Sequence, residues 1–263
     1  MYKAVFIDLD GTLLDNEKNI SKENIEAIER AISKGALVCI CSGRQIDITR
    51  EYKKVAHASK YLICSNGAII YDDEAKEELY SVYIDKEFCL EAYEYVKKNN
   101  LTIRFDTKYG RFVNNENYNT STEILITEGI EEFIEENNVI QLSIVGSSFE
   151  EIDKAKENLY SEEKNIRFGN RFQEEYPMHY CACNCMNDSV SKGNAIMGLC
   201  KYLRIDMSEV IAIGDELNDA SMVEVAGFGV AMENASEQVK SIAKEISKSN
   251  VENGVAYILD KYI

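Results

Sequence analysis

Short apolar runs rich in β-branched residues recur in the first and last thirds of the chain, at 4–7, 36–41, 61–64 and 210–213. Runs of that length, bounded by Gly, Ser or Asp, predict strands buried on both faces. Between the first two, Ile25, Ile28, Ala31 and Ile32 fall at helical spacing. Ser21 is placed to cap that helix, Ile20 to pack on Ile25, and Gly35 to end it. A polar helix reaching to about Ala56 separates the second run from the third. Strand–helix–strand alternation at this spacing predicts right-handed crossovers and a parallel sheet. The first three strands then end on one rim, which carries Asp8 and Asp10, Ser42, and Asn66.

The pattern changes after an expected hairpin at 68–71 and 79–84. Helices are predicted at 86–99, around 128–136 and at 149–160, and strands at 101–106, 111–114, 139–145, near 166–172 and at 179–185. Helices followed by strand pairs suggest an α+β unit. Alternation then returns, with a helix opening at Ser191-Lys192-Gly193, strands at 210–213 and 227–232, and helices at 220–225, 237–243 and 254–261. The expectation is a split α/β core, 1–84 with 188–263, interrupted by an inserted α+β domain at 85–187.

Composition narrows the partners. The 263 residues carry a formal charge of -17. Such a surface repels nucleic acid and anionic membranes, and any phosphate site needs local cations. No apolar run approaches a membrane span, and no basic and apolar leader precedes the first strand, so a cytoplasmic location is expected. The oligomeric state is left open, and the sequence is compatible with a monomer. Among eight cysteines, Cys181, Cys183 and Cys185 alternate along one strand, a spacing unlike that of zinc ligands. The single proline, Pro177, excludes Pro-rich linkers.

Chemistry concentrates at the strand ends. Asp8 and Asp10 stand two apart and would share a side if the strand continued. Paired carboxylates there suit a nucleophile beside a general acid, or a hard-cation site. Singly, other residues have bland explanations: Ser42 as a helix cap, Lys192 as a solvated surface lysine, Asp219 as a first-turn acid favoured by the helix dipole. His57 and His179 fit no pattern.

Together, Asp8-Leu9-Asp10-Gly11-Thr12, Ser42-Gly43-Arg44, Ser191-Lys192-Gly193 and Gly214-Asp215-Glu216-Leu217-Asn218-Asp219 resemble the four motifs of the haloacid dehalogenase superfamily. Within it, the chain resembles the Cof-type (subfamily IIB) phosphatases, with further matches at 229–235 and 250–256. The resemblance implies a Rossmann-like core with an inserted α+β cap of the C2 type. It implies a Mg²⁺-dependent phosphatase of small phosphomonoesters such as sugar phosphates, working through an aspartyl-phosphate. Asp8 would be the nucleophile and Asp10 the acid and base. Asp8, the Asp10 backbone carbonyl and Asp215 would hold Mg²⁺. Ser42, Gly43, Lys192 and Asn218 would bind the phosphoryl group, with Asp219 orienting Lys192 and the Gly11-Thr12 turn offering backbone N–H groups. Arg44 and Asn66 are rim residues without an assigned role. A phosphomutase of the same superfamily is the first alternative, since the cap carries Arg104, Arg111, Arg167 and Arg171; a silent phosphate-binding regulatory module is the second.

Alternation in the inserted domain adds one expectation. Thr102 and Arg104 share a strand face opposite Ile103 and Phe105, Gln141 and Ser143 oppose an apolar set, and Arg167 lies between Ile166 and Phe168. These five are expected on an open polar face that reads the non-phosphate end of the substrate.

Overall fold

The structure is a computed structural model and describes residues 2–118, 123–126, 128–174 and 180–263. The chain begins with β1 (Ala4–Ile7), α1 (Lys22–Ser33), β2 (Leu37–Cys41), α2 (Ile46–Ala56), β3 (Tyr61–Cys64), β4 (Ile69–Asp72) and β5 (Glu77–Ser81). There follow α3 (Lys86–Lys98), β6 (Thr102–Thr107), β7 (Gly110–Val113), β8 (Glu123–Leu125), α4 (Ile130–Glu136), β9 (Gln141–Gly146), α5 (Phe149–Leu159), β10 (Ile166–Glu174) and β11 (Tyr180–Asn187). It closes with α6 (Lys192–Leu203), β12 (Val210–Gly214), α7 (Ala220–Val225), β13 (Phe228–Ala231), α8 (Glu237–Ile242), β14 (Glu245–Ile246) and α9 (Gly254–Tyr262). Two compact units result, Met1–Ser81 with Val190–Ile263, and Val82–Ser189.

The first unit is α/β. Its sheet runs β14-β13-β12-β1-β2-β3-β4-β5. Pairing is parallel from β14 to β3 and antiparallel from β3 to β5. β1 is central because every one of its side chains is buried, and each large apolar side chain so buried contributes about 1.5–3 kcal/mol. Successive strands step to one side of β1, while the later strands begin at β12 on its other side. The strand order therefore reverses between β1 and β12, where open α/β sheets place their ligands. Ser21 caps α1, its hydroxyl accepting the Asn24 N–H at 3.2 Å.

The second unit is α+β. Its sheet runs β10-β11-β9-β6-β7-β8, antiparallel except for the β7–β8 pair. One face packs on α3, α4 and α5 through Ile103, Phe105, Leu142 and Ile144. Cys181, Cys183 and Cys185 lie in that same core as free thiols, where cysteine behaves as a small hydrophobe. β8 and β14 were not anticipated from the sequence. At three and two residues, neither is long enough to display a period of two. His179 and Pro177 lie outside the described residues. Among the described residues, no helix is long and apolar enough to cross a membrane.

Candidate active site

β1 ends at Ile7, and the chain turns at once, the Leu13 N–H donating to Asp8 O at 3.2 Å and the Leu14 N–H to Leu9 O at 2.9 Å. Gly11 occupies φ +76°, and a Cβ there would lie 2.2 Å from Asp215 Oδ2. Only glycine permits both the left-handed turn and this close approach. Asp215 follows β12, and its Oδ1 accepts the Thr12 hydroxyl at 2.8 Å. The Thr12 backbone N–H is committed to Leu9 O. Of the backbone donors expected from the Gly11-Thr12 turn, that of Thr12 is thus turned inward, and its hydroxyl holds a carboxylate instead.

Lys192 opens α6 and is fully buried, which excludes the surface-lysine explanation. Its Nζ lies 2.5 Å from Asp8 Oδ1 and 2.5 Å from Asp219 Oδ1. Asp219 Oδ2 accepts the N–H groups of Asp215 at 2.9 Å and Glu216 at 3.2 Å. Asp219 is therefore tied at both oxygens, while Asp8 Oδ2 and Asp215 Oδ2 stand clear of these bonds. Burial pushes the Asp8 carboxyl up to about 7, against the opposing pull of Lys192 and with the Asp219 charge adding to the rise. Burial also lifts Asp215 to about 6, in spite of the Thr12 hydrogen bond. For Lys192, burial disfavours the charge, but Asp8 and Asp219 outweigh it and raise its pKa.

Asp10 departs from the expectation of two carboxylates sharing a strand face, because the strand has already ended. Its side chain is 42% exposed and grips Arg44, whose Nε and Nη2 donate at 2.7 and 2.6 Å. Lys18 adds a third bond at 2.8 Å. The Arg44 hydrogen bonds lead in lowering its carboxyl to about 2, overriding partial burial. In this arrangement Asp10 is an anion held by two cations. Arg44, left without a role from sequence, is its principal partner.

Ser42 is not the cap of α2; Gln45 stands at that position. The buried Ser42 hydroxyl accepts the Arg44 N–H at 3.1 Å, which leaves its proton free to donate. Gly43 is exposed beside Asn66, whose Oδ1 would lie 2.9 Å from a Cβ at position 43. Asn66 adopts φ +58° and accepts from Asn218 Nδ2 at 3.0 Å, linking the rim after β3 to the rim after β12. His57 is remote from this chemistry, its exposed Nδ1 lying 2.6 Å from Glu29 Oε1.

A family model of haloacid dehalogenase-like hydrolases matches residues 5–259. The chain belongs to that family. Two Bacillus subtilis relatives, both named 5-amino-6-(5-phospho-D-ribitylamino)uracil phosphatase, are each 31% identical to it. One alignment spans 99% of this chain and 98% of the relative, the other 99% and 96%. A solved structure from Thermotoga maritima, 26% identical, superposes with a TM-score of 0.85 over 100% of this chain and 98% of that one. The protein is accordingly a phosphatase of the haloacid dehalogenase superfamily.

The donor set of this hydrolase fits a hard cation. Ligand atoms of Asp8, Asp215 and Asp219 lie within 4.8 Å of one another, all three residues buried. Among the described residues, Lys192 is the one ammonium bonded to this group. With all three carboxylates ionised, two negative charges remain uncompensated in a low-dielectric setting. Oxygen-only ligands with surplus negative charge suit Mg²⁺.

The polar face of the second unit differs from expectation, since it is filled rather than open. Arg104 is 8% exposed, its Nη1 donating to Glu123 Oε1 at 3.1 Å and to the Tyr180 hydroxyl at 3.2 Å. Arg111 Nε donates to Asp106 Oδ1 at 2.7 Å, and Gln141 Nε2 to Asp106 Oδ2 at 3.2 Å. Buried Thr102 accepts from Asn115 at 2.9 Å, and buried Ser143 donates to Asn184 at 2.8 Å. Arg167, at the far strand, donates to Met186 Sδ at 3.2 Å. The alternation of faces follows the sequence pattern. The acids that neutralise the arginines come from β6 and from the unanticipated β8.

Proposed function

We propose that the protein is a Mg²⁺-dependent phosphatase of small phosphomonoesters acting through an aspartyl-phosphate on Asp8. The observation that carries this is the buried bridge of Lys192 between Asp8 and Asp219. It holds one carboxylate oxygen of Asp8 and leaves the other clear to attack phosphorus. The phosphoryl group would be bound by Lys192, the Ser42 hydroxyl, the Gly43 backbone and the Asn218 amide. Bond formation from Asp8 to phosphorus accompanies cleavage of the phosphorus–oxygen bond to the alcohol, which takes a proton from Asp10. Water then attacks the phosphoryl-aspartate, Asp10 accepts its proton, and phosphate leaves. For this, Asp10, an anion in the structure, must exchange its bonds to Arg44 and Lys18 for the reacting groups and take up a proton before it can protonate the leaving alcohol. Asp8, the Asp10 carbonyl and Asp215 would hold Mg²⁺, which supplies positive charge against the phosphoryl oxygens.

The substrate class rests on less direct grounds. The Bacillus subtilis relatives are named for a phosphorylated ribityl compound, so a phosphorylated sugar or polyol is the favoured class here. Thr102, Arg104, Gln141, Ser143 and Arg167 are proposed to read its non-phosphate end. The mutase alternative needs free cations for a second phosphate. Arg104, Arg111 and Arg171 are each paired with an acid, which favours hydrolysis. The net charge disfavours nucleic acid and anionic membrane as partners, and a cytoplasmic setting is proposed on the same composition.

Turnover of p-nitrophenyl phosphate and of a panel of phosphorylated metabolites, with EDTA and with Mg²⁺, tests this. Turnover should stop in EDTA, return with Mg²⁺, and fall by at least about 10³-fold in Asp8→Asn, which keeps the shape and loses the nucleophile. Near-normal turnover in Asp8→Asn would exclude the aspartyl-phosphate route.

A further inference from the structure

Segments 229–235 and 250–256 lie within the stretch that the family model matches, yet none of the chemical steps above uses them. In the structure they converge on the backbone of the turn that follows Asp8. Asn234 Nδ2 donates to Gly11 O at 2.8 Å. Asn234 Oδ1 accepts the Asn250 backbone N–H at 3.0 Å. Asn250 Nδ2 donates to Leu14 O at 2.8 Å. With donor and acceptor sides both engaged, the Asn234 amide has one orientation.

The same stretch holds the other half of the site. The Met232 N–H donates to Gly214 O at 3.0 Å and the Ser236 N–H to Asp215 O at 2.9 Å. Residues 232–236 therefore bond to the backbone on both sides of the close approach between Gly11 and Asp215. That approach admits no Cβ and is bridged by the Thr12 hydroxyl. The Asp8–Leu14 turn is anchored at its start by the Asp8 N–H on Ile213 O at 3.1 Å; beyond Asp8, the Thr12, Leu13 and Leu14 N–H groups bond only within the turn, to Leu9 O, Asp8 O and Leu9 O. A contact on Gly11 O sets the plane of the Gly11–Thr12 peptide, one residue from Asp10.

We propose that Asn234 is a positioning residue for the turn carrying Asp8 and Asp10, held in register by Asn250. This rests on Asp8 and Asp10 being the reacting carboxylates. Asn234 is exposed, so its loss spares the packed core, whereas Asn250 is buried and a poorer probe. Misplacement of reacting groups by about 1 Å costs on the order of 10²-fold in rate.

The test compares the full-length wild type with Asn234→Asp and Asn234→Ala. Asn234→Asp keeps the shape and the acceptor for Asn250, but sets an oxygen against Gly11 O. Three quantities are measured: steady-state kinetics on p-nitrophenyl phosphate, Tm, and amide exchange of residues 12–14. The expected result is a kcat lower by about 30- to 100-fold with KM within about threefold. Exchange at 12–14 should be about tenfold faster and Tm within about 3 °C of wild type. A kcat within twofold of wild type in both variants overturns the proposal. So does a kcat that falls only where Tm falls in step. Absence of turnover in the wild type would sink the phosphatase reading instead. Exchange alone then decides, unchanged rates at 12–14 overturning the clip and faster ones supporting it.

Discussion

The two units both bury charge, and they handle it in opposite ways. On the polar face of the second unit, Arg104 meets Glu123 and Arg111 meets Asp106. Cation and anion balance, and the Tyr180 hydroxyl and Gln141 amide add further bonds, although Arg104 Nε is buried without a partner. In the first unit, Asp8, Asp215 and Asp219 crowd round Lys192 alone, and two carboxylate oxygens stand clear. A network balanced in charge leaves no net charge to be met. An unbalanced one stores an electrostatic demand that a cation and a phosphoryl group can meet. The difference separates a site with charge left to be met from a face whose named charges are already paired.

Removing Lys192 should break the comparison most severely. Lys192→Met leaves three buried carboxylates with no cation among them. Loss of one partner from a buried pair costs about 3–5 kcal/mol, and loss of a charge aimed at the reacting centre costs about 10²- to 10³-fold in rate. Urea unfolding and p-nitrophenyl phosphate kinetics measure the two effects. Turnover within tenfold of wild type would show that the ammonium serves the fold alone.

Much of this contrast was legible in the sequence, and the illegible part has a common cause. Local pattern placed Asp8 at the end of a buried strand, and the family resemblance, not the pattern, joined Lys192, Asp215 and Asp219 to it. Alternation likewise sorted Arg104 from Phe105. What local pattern could not supply was the partner across the sheet. Glu123, which neutralises Arg104, sits on a three-residue strand with no readable period. Arg44 on Asp10, Asn66 on Asn218 and Asn234 on Gly11 join residues 34, 152 and 223 positions apart. The early end of β1 mattered for the same reason, since it gave Asp10 to Arg44 and not to the side expected from an unbroken strand.

The balanced face gives a smaller effect on catalysis and a diagnostic one on stability. Arg104→Met should destabilise by about 3–5 kcal/mol at most, because buried Glu123 loses its 3.1 Å bond to Arg104 while Arg111 stands farther off at 4.0 Å. Arg104→Met with Glu123→Leu should recover most of that loss, as paired removal of buried ions often does. Turnover of p-nitrophenyl phosphate should stay within about twofold in the double variant, while a cognate sugar phosphate, if this face reads it, should lose more. Failure of the second substitution to restore stability in thermal melts would show that the pair is not self-contained.

The central claim is that the Asp8–Asp215–Asp219 cluster carries negative charge in excess and is made to take a divalent cation. In the metal-free protein, Asp8 and Asp215 are raised from 3.8 to about 7 and about 6. The folded state therefore keeps protons that the unfolded chain has already lost, and these groups make stability fall as pH rises from about 4 to about 7. Asp10, lowered to about 2, acts in the opposite sense and below that window. The decisive measurement is the Tm of EDTA-treated protein at pH 5 and pH 7.5, with and without Mg²⁺. Mg²⁺ should raise Tm clearly at pH 7.5, where it relieves the ionised carboxylates, and less at pH 5, where protons already do so. A Tm indifferent to Mg²⁺ at both values, with phosphatase activity undiminished in EDTA, would contradict the account.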